Sequence, residues 1–196
     1  MTCFIDKPKP GILLAVCGFS GSGKSTLVRH ALQMFPQELQ YMNTLTTRLR
    51  RKNEDNIEYT FVDADTYNRL KTMSGQWDES LIYGNYYGLD PGSYIARLEQ
   101  GMNFIICSAP SDKIVGDMIN IYGDSLKSIH IKTTQSTSAE RLHQRSATQD
   151  MSRIDLNAMM INERFTSDFS FEPSGDLDID KVAFTTLIER IIHDKE

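Results

Sequence analysis

A glycine-rich segment near the start of the chain has the residue types and spacing of a phosphate-binding loop. It reads Gly18-Phe-Ser-Gly-Ser-Gly-Lys-Ser25, which matches G-x-x-x-x-G-K-[ST], and it follows a strand-like apolar run at residues 12–17. Glycines let backbone N–H groups turn inward around phosphates, and the helix predicted to begin near Ser25 adds the positive end of its dipole. In this pattern Lys24 reaches the β- and γ-phosphates, and the Ser25 hydroxyl holds Mg²⁺. The sequence therefore predicts nucleotide binding.

An ordinary glycine-rich turn is the alternative for this segment. Eight spaced positions between a strand-like run and an amphipathic helix favour the phosphate loop. The residues expected to contact ATP here are Gly18, Ser20, Gly21, Ser22, Gly23, Lys24, Ser25 and Thr26.

The composition describes a protein of one domain with an ordinary core. The chain has 196 residues, of which 40% are apolar, and this length is enough to bury a sizeable core. A formal net charge of −5 argues against a nucleic-acid partner, whose binding face would be basic. The first apolar run is too short for a signal peptide or a membrane span. Cys3, Cys17 and Cys107 lack metal-ligand spacing and indicate reduced thiols in a cytoplasmic protein.

Strand-like and helical segments alternate along the rest of the chain. Strands are predicted at residues 103–107, 128–131 and 169–172, and helices at residues 113–122 and 181–193. With the phosphate loop, this order predicts an α/β fold of the P-loop NTPase type, with a parallel sheet flanked by helices.

Residues 41–90 interrupt this alternation with short strand and turn patterns. The stretch is too long for a simple loop, and a second substrate is expected to bind in an insertion beside a phosphate loop. The chain is thus predicted to be one domain with a core at 11–40, 91–132 and 166–196, a small insertion at 41–90 and a helical lid at 133–165.

The insertion carries a second set of residues suited to phosphate. It contains Thr46-Thr-Arg-Leu-Arg-Arg51, then Glu54 and Tyr59, and finally Gly84-Asn-Tyr-Tyr-Gly88. In this pattern the chain resembles guanylate kinases, and the resemblance covers nearly the whole length of the chain. Guanidinium groups bind phosphate oxygens bidentately, and phenol hydroxyls add neutral donors. The alternative interpretation of residues 48–52 is a basic turn exposed to solvent. The resemblance implies ATP-dependent phosphorylation of a nucleoside monophosphate, with GMP or dGMP as the expected acceptor.

The same resemblance assigns the acceptor residues. Four positions match residues that bind the acceptor phosphate in that family: Arg48, Arg51, Tyr59 and Tyr87. The acidic residues Glu54 and Asp78 complete the expected acceptor site.

Four positions correspond to those that read the guanine edge in guanylate kinases, and only one keeps a polar side chain. They are Leu45, Asp78, Leu89 and Ala109, and a one-residue shift would replace Asp78 by Glu79. An apolar pocket discriminates between ligands less than a hydrogen-bonding one. We therefore expect a loose base pocket, or another acceptor such as a different nucleoside monophosphate or ribose 1,5-bisphosphate.

The predicted lid begins at the capping-box pattern of residues 137–140 and carries Arg141 and Arg145, four residues apart. This run resembles the R-L-x-x-R of guanylate kinases, whose arginines contact the ATP phosphates and adenine, and an exposed amphipathic helix is an equal alternative. Arg153 or Arg164 is a candidate for a further lid arginine.

The resulting hypothesis is a kinase that uses ATP and Mg²⁺, in which Lys24, Arg48 and Arg145 carry catalysis and Ser25 holds the metal. A catalytically inactive binding module of the same fold is the alternative from another class, and the intact phosphate loop argues against it. We expect nucleotide substrates as partners, no membrane partner, and a monomer or homodimer.

Overall fold

The computed structural model describes residues 9–51, 54–82, 84–108, 112–133 and 166–193. The strands in chain order are β1 (Leu13–Cys17), β2 (Leu39–Tyr41), β3 (Thr44–Thr46), β4 (Tyr59–Phe61), β5 (Asp78–Ile82), β6 (Asn85–Leu89), β7 (Asn103–Ser108), β8 (Leu126–Ile131) and β9 (Phe169–Phe171). The helices are α1 (Lys24–Met34), α2 (Ala64–Met73), α3 (Pro91–Glu99), α4 (Asp112–Tyr122) and α5 (Leu177–His193), with a 3₁₀ turn at Gly123–Ser125.

The central sheet has five parallel strands in the order β2-β7-β1-β8-β9. Strand β1 lies in the middle, where Leu13 pairs with Phe104 on one side and with Leu126 on the other. All five residues of β1 are buried, because helices cover both faces of a parallel sheet. This arrangement confirms the predicted α/β fold with a parallel sheet flanked by helices.

Side chains along β1 point alternately to the two faces of the sheet, and each face has its own core cluster. Leu14 and Val16 pack in a cluster with residues of α1 and α5, whereas Leu13, Ala15 and Cys17 pack in a cluster with residues of α3 and α4. Strand β1 is thereby fixed from both sides, and the loop that follows it has a rigid base.

The insertion forms its own four-stranded sheet in the order β4-β3-β6-β5. Helix α2 packs on one face of this sheet, where Tyr67 stacks on Tyr86 at 5.6 Å between ring centroids. A Cβ added at Gly88 would lie 2.7 Å from Nε1 of Trp77, so only glycine permits this close approach. The opposite face remains for contacts with the rest of the protein.

Several elements differ from the sequence expectations. Strand β2 was not predicted, and its last residue, Tyr41, was placed at the start of the insertion although it lies in the central sheet. Helix α2 was not predicted either; Asp63 caps it by accepting a hydrogen bond from Thr66 N at 2.7 Å. Helix α3, also missed, begins at Pro91, where the missing N–H costs no helical hydrogen bond. The predicted lid, residues 133–165, lies outside the described residues except for Thr133.

Candidate active site

The predicted phosphate loop connects β1 to α1 and is closed by its own lysine. Lys24 Nζ donates to the carbonyl oxygens of Gly18 at 2.6 Å and Phe19 at 2.7 Å. Gly21 and Gly23 have φ angles of 87° and 94°, in the left-handed region that favours glycine. The loop therefore curls around the position of Lys24, ahead of the first turn of α1.

Three features of this loop fit a bound oxyanion. Ser22 is 1% exposed, and its Oγ has no hydrogen-bond partner among the described residues. A Cβ added at Gly18 would lie 2.9 Å from this oxygen, so a larger residue would crowd the loop. Helix α1 has no side-chain cap at Gly23, and its first N–H groups favour an anion such as phosphate.

The remaining loop residues predicted to contact ATP lie beside this turn. Ser20 and Thr26 are half-buried, and Thr26 N donates to Gly23 O at 3.1 Å in the first turn of α1. The structure thus brings the eight predicted loop residues into one turn.

Ser25, the predicted metal ligand, contacts a carboxylate that the sequence analysis did not assign. Its Oγ donates to Glu58 Oε2 at 3.3 Å, and Glu58 comes from the insertion, just before β4. The hydroxyl and carboxylate oxygens are the hard donors that Mg²⁺ prefers, so these residues fit the expected cation.

A thiol lies near the same loop. Cys107 N donates to the Tyr41 hydroxyl at 3.1 Å, and burial raises the pKa of the Cys107 thiol to about 11. The thiol is therefore neutral at physiological pH and is a poor ligand for a hard cation.

The predicted acceptor residues form a second cluster on the insertion. Arg48 and Glu54 make a two-point ion pair, with Nη1 3.0 Å from Oε2 and Nη2 2.7 Å from Oε1. Arg51 N donates to the same carboxylate at 2.9 Å. Burial raises the pKa of Glu54, but the hydrogen bonds from Arg48 and Arg51 N outweigh it, so the pKa is lowered overall. Glu54 thus holds the charged guanidinium of Arg48 in a fixed orientation.

The two predicted tyrosines pack beside this arginine. Arg48 Cζ lies 5.4 Å from the ring centroid of Tyr59, and the Tyr59 and Tyr87 rings meet edge to face at 5.7 Å. Burial raises the pKa of Tyr59 to about 12, so its hydroxyl keeps its proton and can donate. The side chains of Arg48, Glu54, Tyr59 and Tyr87 therefore form one cluster, to which Arg51 contributes its backbone N–H, and their binding to an acceptor stays a prediction.

The strand register corrects one position assigned to base reading. In β3, Thr44 pairs with Tyr59 and Thr46 pairs with Tyr87, whereas Leu45 pairs with Gly88. Because paired residues share a face and successive residues alternate, Thr44 faces the tyrosines and Leu45 faces α2. Leu45 lines a cavity of about 300 Å³ together with Leu70 and Met73 of α2. The prediction that Leu45 lines the acceptor pocket is wrong, and Thr44 is the hydroxyl residue on the correct face.

Asp78 and Leu89, by contrast, share the face of the tyrosines. They pair with each other at the ends of β5 and β6, and Leu89 lies two residues after Tyr87. Desolvation raises the pKa of Asp78, and the negative charge of Asp117 on α4 adds to this shift. Leu89 is 6% exposed and belongs to the core cluster that includes α4 residues. This end of the sheet therefore points toward α4.

Several other predicted site residues lie outside the described residues. They are Ala109, Arg141, Arg145, Arg153 and Arg164. Within the described ranges, no group of three or more His, Cys, Asp or Glu residues is arranged to hold a metal ion. None of the helices described is long and apolar enough to span a membrane.

Part of the chain is similar in sequence to known guanylate kinases. No family model matches the chain. It is 38% identical over 84 residues to a guanylate kinase of Oleidesulfovibrio alaskensis, a match covering 42% of this chain and 40% of the relative. It is 35% identical over 103 residues to a guanylate kinase of Chromohalobacter salexigens, covering 52% of this chain and 47% of the relative. The matched parts span about half the length of these relatives or less.

The fold comparison covers nearly the whole chain. The guanylate kinase of Anaplasma phagocytophilum superposes with a TM-score of 0.66, covering 95% of this chain and 89% of that one, at 16% identity. A gluconokinase of Sinorhizobium meliloti gives a TM-score of 0.50 at 14% identity. The chain therefore has the fold of a guanylate kinase, and the sequence matches confirm its resemblance to that family.

Proposed function

We propose that the protein transfers the γ-phosphoryl group of ATP to a nucleoside monophosphate, with GMP or dGMP as the expected acceptor. The observation that carries this proposal is the pairing of two phosphate sites on separate units. One is the loop around Lys24 on the central sheet, and the other is the Arg48, Glu54 and Tyr59 cluster on the insertion. The guanylate kinase relatives support the choice of acceptor class.

The two sites divide the work of the reaction between them. Lys24 and the loop N–H groups bind the phosphates of ATP, and Arg48 with Tyr59 and Tyr87 binds the acceptor phosphate. That phosphate oxygen is already anionic, so the transfer needs positioning and charge neutralisation and no strong base. When bound, Mg²⁺ would be held by the Ser25 hydroxyl, which is hydrogen-bonded to Glu58, and it would supply positive charge to the transferring group.

Closure of the insertion and lid is expected to exclude water and prevent hydrolysis of ATP. From the lid, Arg141 and Arg145 are expected to contact ATP. The buried thiol of Cys17 and the use of ATP favour a cytoplasmic location.

The experiment that tests this proposal is a coupled assay of ADP release with every common nucleoside monophosphate and with ribose 1,5-bisphosphate. We expect the highest kcat/KM with GMP or dGMP and very little ADP release without an acceptor. Ribose 1,5-bisphosphate as the best substrate would assign the same fold to a phosphosugar kinase. Tight ATP binding without turnover on any acceptor would favour a binding module.

The register of β3 gives a sharper prediction about base selection. Replacing Thr44 with valine is expected to lower the ratio of GMP to AMP kcat/KM by about 2- to 10-fold, since one hydrogen bond contributes about 0.5–1.5 kcal/mol. Leu89→Ser adds a hydroxyl on the same face and is expected to raise this ratio by a similar factor; because Leu89 is buried in the core, the thermal midpoint of this variant is measured alongside its kinetics. Kinetic constants for both nucleotides in each variant provide the measurement.

Leu45→Ser is the matched control for these variants. It adds a hydroxyl at the residue next to Thr44 but on the α2 face, so the ratio is expected to stay within about twofold of the wild type. A ratio that responds to Leu45→Ser and ignores Thr44→Val would reverse the assignment of the two faces.

A further inference from the structure

The contact between Ser25 and Glu58 joins the phosphate loop to the insertion. These residues are 33 positions apart, and Ser25 Oγ donates to Glu58 Oε2 at 3.3 Å. Glu58 is 15% exposed at its side chain, so it is largely withdrawn from solvent. A carboxylate is thus held against the one hydroxyl that the loop pattern assigns to the metal.

Arg29 fixes the orientation of this carboxylate. Its Nη2 donates to Glu58 Oε1 at 3.2 Å, which leaves Oε2 directed at Ser25. Arg29 lies one helical turn after Ser25 on α1, and Asp55 holds the other edge of its guanidinium at 3.0 Å. The negative charge of Glu58 is therefore compensated on one oxygen and presented to the loop on the other.

The strands beside β1 do not supply a carboxylate for this purpose. In P-loop NTPases an aspartate commonly assists the loop serine or threonine in holding Mg²⁺. Here β7 ends at Cys107 and Ser108, followed in the sequence by Ala109, and β8 ends at Ile131, followed by Lys132. Neither a thiol nor an ammonium group replaces a carboxylate toward a hard cation.

We propose that Glu58 is the acidic residue that positions Mg²⁺ in the nucleotide complex, acting through the Ser25 hydroxyl. Glu58 accepts a hydrogen bond from the Ser25 hydroxyl, which leaves a lone pair of the Ser25 oxygen available to the metal, and it adds negative charge nearby. This inference rests on the proposed function only in assuming that the loop binds a nucleotide with its metal. Because Glu58 precedes β4, which carries Tyr59, it also ties the metal site to the position of the acceptor site.

The test measures metal affinity directly, with Mn²⁺ as a spectroscopic probe. Mn²⁺ is titrated into the full-length protein saturated with ADP, and free Mn²⁺ is followed by electron paramagnetic resonance. Glu58→Gln is expected to weaken Mn²⁺ binding by about 10- to 100-fold, the usual loss when a residue that orients a metal ligand is replaced. ADP affinity in the presence of a chelator is expected to be equal to the wild type or slightly tighter, because a negative charge near the phosphates is removed.

Asp55→Asn is the matched control, because Asp55 also pairs with Arg29 but does not contact Ser25 in the described structure. Its Mn²⁺ affinity is expected to stay within about twofold of the wild type. In a Ser25→Ala background, Glu58→Gln is expected to have no further effect on Mn²⁺ binding. If Glu58→Gln does not fold, Glu58→Asp serves instead, since it keeps the charge and withdraws it from Ser25; a smaller loss is then expected.

Two results would overturn the inference. Wild-type Mn²⁺ affinity in the Glu58 variant would show that Glu58 does not position the metal, and an equal loss in Asp55→Asn would show that the ion pairs with Arg29 only anchor the insertion. Neither result depends on the acceptor. A protein that phosphorylates no monophosphate, yet loses Mn²⁺ affinity on Glu58→Gln, would reject the proposed function and retain this inference.

Discussion

Replacing Lys24 with alanine is expected to lower kcat by at least about 100-fold while the protein stays folded. The ammonium group lies within the phosphate loop, where it donates to the backbone carbonyls of Gly18 and Phe19. Phosphate oxygens would replace these carbonyls, and the positive charge would stabilise the transferring group. Removing one preorganised donor from such a site typically costs about 10²- to 10³-fold in kcat. Steady-state kinetics with saturating ATP and acceptor measure this loss.

A lysine outside the site provides the control. Lys181 on α5 makes an ion pair with the exposed Asp178 at 3.0 Å, and Lys181→Ala is expected to leave kcat unchanged. The thermal midpoint of Lys24→Ala is expected to fall by only a few degrees, since a loss of about 1 kcal/mol shifts it by roughly 2–4 °C in a chain of this size. Near-normal turnover in folded Lys24→Ala protein would end the kinase hypothesis.

The phosphate loop and the central sheet were the easiest parts to predict, because their sequence patterns are local. The loop pattern fixes eight neighbouring residues, β1 is an apolar run that is buried along its whole length, and β7 contains the apolar run Phe104-Ile-Ile-Cys107. Such runs are long enough to be distinguished from the polar segments around them. Strand β2, with only three residues at Leu39–Tyr41, was missed because so short a run has no clear pattern.

The helices that were missed carried signals at their N-termini. Asp63 before α2 is a good capping residue, and Asp90 followed by Pro91 is a typical helix start. They stand among short strand and turn patterns, which dominate this part of the sequence and predict no helix. In addition, α2 is held by aromatic contacts of Tyr67 with Trp77 and Tyr86, which join residues that sequence spacing alone does not bring together.

Base selection was assigned to the wrong residue because a shift of one position reverses the face of a strand. Leu45 directly precedes the Thr-Thr-Arg run, but alternation places it on the α2 side, and Thr44 shares the face of Tyr59. Counting in steps of two from Thr46 would have identified Thr44. Glu58 had no comparable sequence signal, because its importance arises from a contact with Ser25 across the fold.

Arg48 is the acceptor-side residue for which the structure predicts the largest effect. Glu54 binds two guanidinium nitrogens of Arg48. Burial lowers the pKa of Arg48, but this ion pair outweighs it, so the pKa of Arg48 is raised overall. The guanidinium also lies over the Tyr59 ring. Arg48 is therefore held charged and in one orientation before the acceptor arrives, which reduces the ordering cost of binding.

We expect Arg48→Ala to lower kcat/KM for the acceptor by about 10- to 100-fold, because a hydrogen bond to a charged group contributes about 1.5–3 kcal/mol. Arg48→Lys keeps the charge but loses the two-point geometry, so it is expected to recover only part of the activity. The affinity of the free enzyme for ATP should stay within about twofold in both variants. Kinetics with varied acceptor, together with calorimetric titration of a non-hydrolysable ATP analogue, separate these quantities.

Arg50 is the matched control, since it lies two residues away, is exposed, and stacks on Phe61 at 5.0 Å. Arg50→Ala removes the same charge from the same segment without touching the ion pair with Glu54, so acceptor kinetics should change by less than about threefold, in line with the small contribution of exposed charges. If Arg48→Ala weakens ATP binding as much as acceptor binding, Arg48 belongs to the ATP site. If Arg48→Ala and Arg50→Ala lose activity equally, the segment acts through its net charge, and the orientation of Arg48 by Glu54 does not explain acceptor binding.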